Sequence, residues 1–339
     1  FIVFKKMNNA FFRTDFNYQI GFGHINRCLS LANILKTLYH CHFVFTSTPS
    51  NLIKKIKEFE EFNVHNFFSE NKNFDEIDFL NKTTKSGDIV IFDSYSIDNN
   101  YLLKVLKQGV KTVSINDLPE NCLNTDIIIN YTLGIQKEQF KAPNKKQLLL
   151  GPDYLLLRKD FLEYKFKTKK DNNGNIFICL GASDNFEILN KIITYLKTIA
   201  PENKLSVLVG NKEMQEKLMS LIDCNLKIYY NLQPNRVINQ IENSSIAIVS
   251  SSTIALECMM VGVNLLTGYY VDNQKYLAQN IHSFGMGINM GNLYDLSFEI
   301  FNKSYITLQK IDFREKQIKY FAKNQKMNYL EIFKQISYE

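Results

Sequence analysis

The residues best placed to do chemistry are Gly21-Phe22-Gly23-His24, which follow an apolar run at Ala10–Arg13. Small or apolar side chains then recur at Ile25, Cys28, Leu29, Ala32 and Leu35, one face of an amphipathic helix over Ile25–Lys36. The two glycines therefore stand at a helix N-terminus, where backbone N–H groups and the helix dipole favour an anion. His24 falls in the first turn, a position that disfavours an imidazolium and suits the ring to taking a proton. Spacing alone leaves a second reading open, a histidine that only caps the helix or packs under the loop. The stretch is not a dinucleotide fingerprint, because no third glycine follows Gly23 and residue 26 is Asn. His40 and His42 flank Cys41 in a run that continues through Phe43-Val44-Phe45, which reads as a strand and not as a metal site.

Three further loops carry polar residues that packing does not require. Gly181-Ala182-Ser183-Asp184 lies between an apolar run and a helical pattern. Asp184 precedes Glu187 at capping-box spacing, while Gly181 and Ser183 suit a turn that offers N–H and hydroxyl donors to an anion. Ser252-Thr253 opens Ile254–Val261, a helix apolar almost all round, with Gly262 as its stop. Glu257 interrupts that helix: it lies on an exposed edge, or it is a buried carboxylate that needs hydrogen-bond donors. Asn273-Gln274 opens a polar helix and can both donate to and accept from a hydroxyl- and amide-bearing ligand. Asp93, Tyr95 and Asp117 each end a strand-like run, and Tyr95 is the best candidate of the three for a substrate contact.

The elements that must position these residues alternate through both halves. Strands are predicted at Ala10–Arg13, His42–Thr46, Asp88–Phe92, Thr112–Ile115 and Asp126–Asn130. A second set follows at Ile176–Leu180, Leu205–Val209, Lys227–Tyr230, Ile246–Ser250 and Asn264–Thr267. Helical patterns separate them, notably Tyr101–Gln108, Glu187–Ile199, Lys212–Ile222 and Thr253–Val261. Alternation of this kind implies α/β architecture, two doubly wound Rossmann-like domains in tandem, with ligands beyond the C-terminal strand ends. The predicted boundaries are 7–155 for the first domain and 156–339 for the second, with a terminal helical stretch around Asp312–Ile336 that could pack on either domain or cross back to the first.

With 339 residues the chain is long enough for two cores. Its 40 basic and 34 acidic residues are interspersed, giving a net charge of +6. A mild positive field of that kind suits an anionic small molecule, and no groove-reading module points to nucleic acid. Six widely spaced cysteines with no CxxC pair argue for a reducing compartment, so a cytoplasmic location is expected. The apolar start Phe1–Phe4 is too short for a membrane span or signal peptide, and Met7 is a candidate natural start.

Gln19-Ile20-Gly21-Phe22-Gly23-His24-Ile25-Asn26-Arg27, preceded by Arg13 and Asp15, resembles the opening motif of the UDP-sugar hydrolases of pseudaminic acid biosynthesis. Spore-coat polysaccharide proteins are similar to that family, and the family resembles the lipid II glycosyltransferases of the GT-B fold. Further resemblance lies in Ile91–Tyr95, Ser114–Asp117, Gly151 with Tyr154–Phe161, Cys179–Asp184, Ser252 with Glu257, and Asn273-Gln274. Where the family usually has two adjacent glycines, this chain has Gly181-Ala182. The resemblance implies hydrolysis of a UDP-linked diacetamido-trideoxy-altropyranose by inverting attack of water, with His24 as base. It implies substrate contacts from Asp15, Gly21, Gly23, Tyr95, Arg158, Gly181, Ser183, Ser252, Thr253, Glu257, Asn273 and Gln274, with Glu257 accepting from the ribose hydroxyls. No metal and no cofactor is expected, and no membrane or nucleic-acid partner. Two alternatives stay open, a glycosyltransferase of the same fold and a non-catalytic nucleotide-sugar-binding protein.

Overall fold

A computed structural model describes residues 7–17, 21–54, 56–67, 75–105, 109–117, 119, 122–141, 146–167, 174–181 and 185–336. The chain divides into two compact units, Phe1–Leu156 with Asn324–Glu339, and Leu157–Lys323. Each is built on one parallel sheet.

In the first unit the strands are β1 (Asn8–Thr14), β2 (Tyr39–Phe45), β3 (Asn63–Asn66), β4 (Ile89–Asp93), β5 (Lys111–Ile115), β6 (Ile127–Asn130) and β7 (Gln147–Leu150). They pair in the order β3-β2-β1-β4-β5-β6-β7, every pair parallel. Residues of β4 and β6 are buried throughout, as a sheet covered by helices on both faces requires. Strand order reverses between β1 and β4. That is the crevice where doubly wound sheets leave room for a ligand.

The second unit repeats the plan with β8 (Asn175–Cys179), β9 (Lys204–Val209), β10 (Leu226–Tyr230), β11 (Ile246–Ser250), β12 (Asn264–Tyr269) and β13 (Ile288–Asn292). Their order is β10-β9-β8-β11-β12-β13, again parallel, with the reversal between β8 and β11. Ile176, Ile178, Val207 and Ile248 of this sheet pack against Ile188, Ile192 and Leu196 of the helix Phe186–Ile199. Asn185 caps that helix, its side chain accepting from Ile188 N at 3.1 Å. The cap expected of Asp184 thus falls one residue later, and Asp184 itself lies outside the described residues.

Two parts of the sequence reading change. Strands β3, β7 and β13 were not among the predicted ones. The terminal stretch is two helices, Arg314–Phe321 in the second unit and Gln325–Ile336 in the first, so of the placements left open the chain crosses back to the first unit, and the range 156–339 runs too far for the second. The cause is local. Tyr329 and Phe333 are fully buried, Tyr329 donates its hydroxyl to the Tyr154 carbonyl at 2.6 Å, and Tyr39 donates to the Phe333 carbonyl at 3.0 Å. Among the described residues, no helix is long and apolar enough to cross a membrane.

Candidate functional site

β1 delivers the chain into a loop that returns as the helix Gly23–Leu35. Gly21 has φ +86°, in the left-handed region, and its N–H donates to the Asn17 carbonyl at 2.8 Å, closing the turn. Gly23 and His24 are then the first two helical residues. Gln19 and Ile20 lie outside the described residues. Arg27 stands one turn after His24, on the same face.

That face meets the end of β4. His24 Nδ1 lies 2.5 Å from Asp93 Oδ1, and Arg27 donates to both oxygens of the same carboxylate, Nη2 to Oδ1 at 2.5 Å and Nε to Oδ2 at 2.6 Å. Arg27 also bridges through Nη1 to Asp117, just beyond β5. Tyr95 donates its hydroxyl to the other oxygen of Asp117 at 3.1 Å, and its ring stands edge-on to His24, centroids 4.7 Å apart. His24, Arg27 and Asp93 are buried, while Tyr95 is 56% exposed. The cluster therefore sits at the β1/β4 reversal, with Tyr95 as its outer member.

Burial pushes the Asp93 carboxyl up, but the charges of Arg27 and His24 outweigh it and hold the group well below the ordinary carboxylate range. For Arg27, burial works against the charge, and Asp117 and Asp93 raise the group well above its usual value. An ionised Asp93 can only accept. His24 Nδ1 must then carry the hydrogen it gives to Asp93, which leaves Nε2 as the nitrogen with a lone pair in a neutral ring. A carboxylate that fixes tautomer and ring orientation in this way is the support a general base requires.

Asp15, expected against the substrate, is engaged elsewhere. Its carboxylate accepts from Arg13 Nη1 at 2.5 Å, from the Thr46 and Ser47 amides at 2.9 and 2.7 Å, and from the Thr46 and Thr48 hydroxyls. Burial raises its pKa, and Arg13 with those amides more than reverses the effect. What it does in this structure is anchor the loop after β2.

The second unit gathers another group at its own reversal. Gly181, just past β8, has φ +100°, and a Cβ there would come within 3.9 Å of Ser252 Oγ and 4.0 Å of Ser250 Oγ. Those two hydroxyls are 3.0 Å apart. Ser252 is the residue before the helix Thr253–Val261, so its neighbours are the first N–H groups of that helix. Gly262 ends the helix at φ +80°, as its sequence position predicts. Glu257 is buried and holds Arg158 through two bonds of 2.7 Å. Gln274 is tied to the same strand end: its side chain accepts from Tyr270 N at 3.2 Å, and Tyr270 donates its hydroxyl to the Leu180 carbonyl at 2.8 Å. Asn273 is exposed in the first turn of Asp272–Ser283. Ser183 lies outside the described residues.

The predicted residues thus fall into two sets, His24, Tyr95, Gly21 and Gly23 in one unit, and Gly181, Ser252, Thr253, Glu257, Arg158 and Gln274 in the other. Asp93, Asp117 and Arg27 were not assigned a part in the first set. The available signal was an aspartate closing a wholly apolar strand, and an arginine three residues after the histidine.

Two parallel doubly wound sheets in tandem, each with its polar cluster at the reversal of strand order, define a two-domain GT-B fold. Comparison with solved structures agrees. MurG of Acinetobacter baumannii superposes with a TM-score of 0.64 at 12% identity, over 96% of this chain and 99% of that one. A UDP-glucosyltransferase from Polygonum tinctorium gives 0.68 at 11% identity, over 99% and 100%. No family model matches the chain. Among curated proteins, it is 28% identical over 275 residues to the UDP-2,4-diacetamido-2,4,6-trideoxy-beta-L-altropyranose hydrolase of Campylobacter jejuni, covering 79% of this chain and 93% of that one. It is also 27% identical over 279 residues to an uncharacterised protein of Methanocaldococcus jannaschii, covering 77% of this chain and only 56% of that longer one.

Proposed function

We propose that this protein is a UDP-sugar-processing enzyme, and that its reaction is hydrolysis of UDP-2,4-diacetamido-2,4,6-trideoxy-β-L-altropyranose or a near relative, in a nonulosonic acid pathway of the cytoplasm. The observation that carries the reading is the His24–Asp93 contact at 2.5 Å, with His24 in the stretch Gln19–Arg27 that resembles the opening motif of those hydrolases. Similarity to the Campylobacter jejuni hydrolase over most of both chains supports the choice of substrate.

His24 Nε2 accepts a proton from water as the water oxygen bonds to the anomeric carbon. The bond from that carbon to the UDP oxygen breaks, and its electron pair leaves with the diphosphate. Single displacement from the opposite face inverts the anomeric centre. Asp93 stabilises the imidazolium that forms. A base so placed typically contributes about 10²–10⁴-fold. The Ser252 hydroxyl, the Gly181 turn and the start of the helix Thr253–Val261 are the donors proposed for the departing diphosphate, where preorganised dipoles act most strongly. Glu257 takes the ribose, and Tyr95, Asn273 and Gln274 take the sugar; Ser183 joins the diphosphate donors.

Turnover of a panel of UDP-sugars in ¹⁸O-labelled water, with no acceptor present, tests this. Label in the free sugar together with released UDP is the expected result. Label in UDP means attack at phosphorus and refutes the mechanism. UDP release only when an acceptor is added makes the chain a glycosyltransferase.

A further inference from the structure

Glu257 lies on a helix otherwise apolar, with its side chain 3% exposed, and a carboxylate there must be matched by donors. One guanidinium matches it. Arg158 Nε donates to Oε1 and Nη2 to Oε2, both at 2.7 Å, so each oxygen is engaged once. The guanidinium is itself held, lying over the ring of fully buried Phe161 at 4.9 Å from its centroid. A carboxylate offers about four acceptor positions, and a parallel fork of this kind uses one on each oxygen. One position on each oxygen is left. Two adjacent hydroxyls of a single ring can occupy both, which is the geometry of a vicinal diol.

We propose that Arg158 is the positioning residue for ribose recognition: its two bonds hold the Glu257 carboxylate turned so that the 2′ and 3′ hydroxyls donate to it together. The inference rests on the nucleotide reading above and adds to it the source of ribo-over-deoxyribo selectivity. Arginine is required because lysine, a point donor, cannot bridge two oxygens and fix the carboxylate plane. Arg158 acts through Glu257 and not on the phosphates, so its loss should be felt most by ligands that carry the full diol.

The test is calorimetric binding of UDP and 2′-deoxy-UDP to the wild type, Arg158→Lys and Arg158→Met, each shown to be folded by its thermal transition. The wild type should prefer UDP by about tenfold or more, the value of one hydrogen bond to a charged group. Arg158→Met should bring that ratio close to one, with 2′-deoxy-UDP, which keeps the 3′ hydroxyl, losing less than UDP, and Arg158→Lys, which keeps the charge, should restore only part of it. An unchanged ratio in both variants overturns the proposal. So does an equal loss for both ligands, which would make Arg158 a direct phosphate contact. A wild type that binds neither nucleotide sinks the nucleotide reading itself, a result distinct from these.

Discussion

At the residue scale, the pairing of His24 with Asp93 divides two roles that mutation can separate. Asp93 receives three donors from His24 and Arg27, and its charge fixes which imidazole nitrogen is open. His24→Gln removes the proton acceptor and leaves the second unit untouched. Turnover should fall by on the order of 10²–10⁴ with UDP affinity unchanged, and near-wild-type kcat would refute the assignment. Asp93→Asn is the sharper test. The amide oxygen can still accept, but the full charge that stabilises the imidazolium is gone, so kcat should again fall steeply while KM moves little. Glu257→Ala should act in the opposite sense, weakening UDP binding by about tenfold or more through the lost acceptor. An unaltered dissociation constant would remove its ribose role.

At the scale of elements, the loop between β1 and its helix depends on one backbone conformation. At φ +86° Gly21 is where a side chain is strained, yet an added Cβ would meet nothing within 4 Å. Gly21→Ala should therefore cost roughly 1–3 kcal/mol from the backbone alone, read as a lower denaturation midpoint. A wild-type midpoint would show that the turn can relax. This loop was legible in the sequence because glycine, histidine and helical periodicity coincide within a few residues. Strands of β4 and β6 type were equally legible, since burial on both faces leaves an unbroken apolar run such as Ile89–Phe92. β3 was not, because Asn63-Val64-His65-Asn66 is an edge strand and only partly buried, so nothing forces its residues to be apolar. β13 hid for a related reason: Ile288–Asn292 contains two asparagines and Gly291, and lies at the other sheet's edge. The part played by Asp93 was hidden differently. An aspartate at a strand end is common, and only the fold brings residue 93 to residue 24.

At the scale of the whole molecule, the last helix closes the first unit through contacts far apart in sequence. Phe333 is fully exposed to neither water nor choice: it is buried, and its carbonyl accepts from Tyr39. Phe333→Ala should destabilise that unit by about 3–5 kcal/mol, and a denaturation curve superposable on wild type would deny the helix its structural part. The same unit should also be acid-sensitive, and the sign follows from two of its buried aspartates. Asp15 and Asp93 both titrate below the ordinary carboxylate value in the folded state, held there by Arg13 and by Arg27. A carboxyl depressed on folding stabilises fully above its unfolded pKa of about 3.9, and that contribution is lost as pH falls from there toward the folded value. Urea unfolding followed from pH 7 down to pH 3 should show stability steady at first and then falling below about pH 5. Asp15→Asn should start from a lower plateau, because Arg13 loses its partner, and decline less steeply with acid, because one of the two protonations is gone. An acid slope identical to wild type would mean that Asp15 takes up its proton equally in both states.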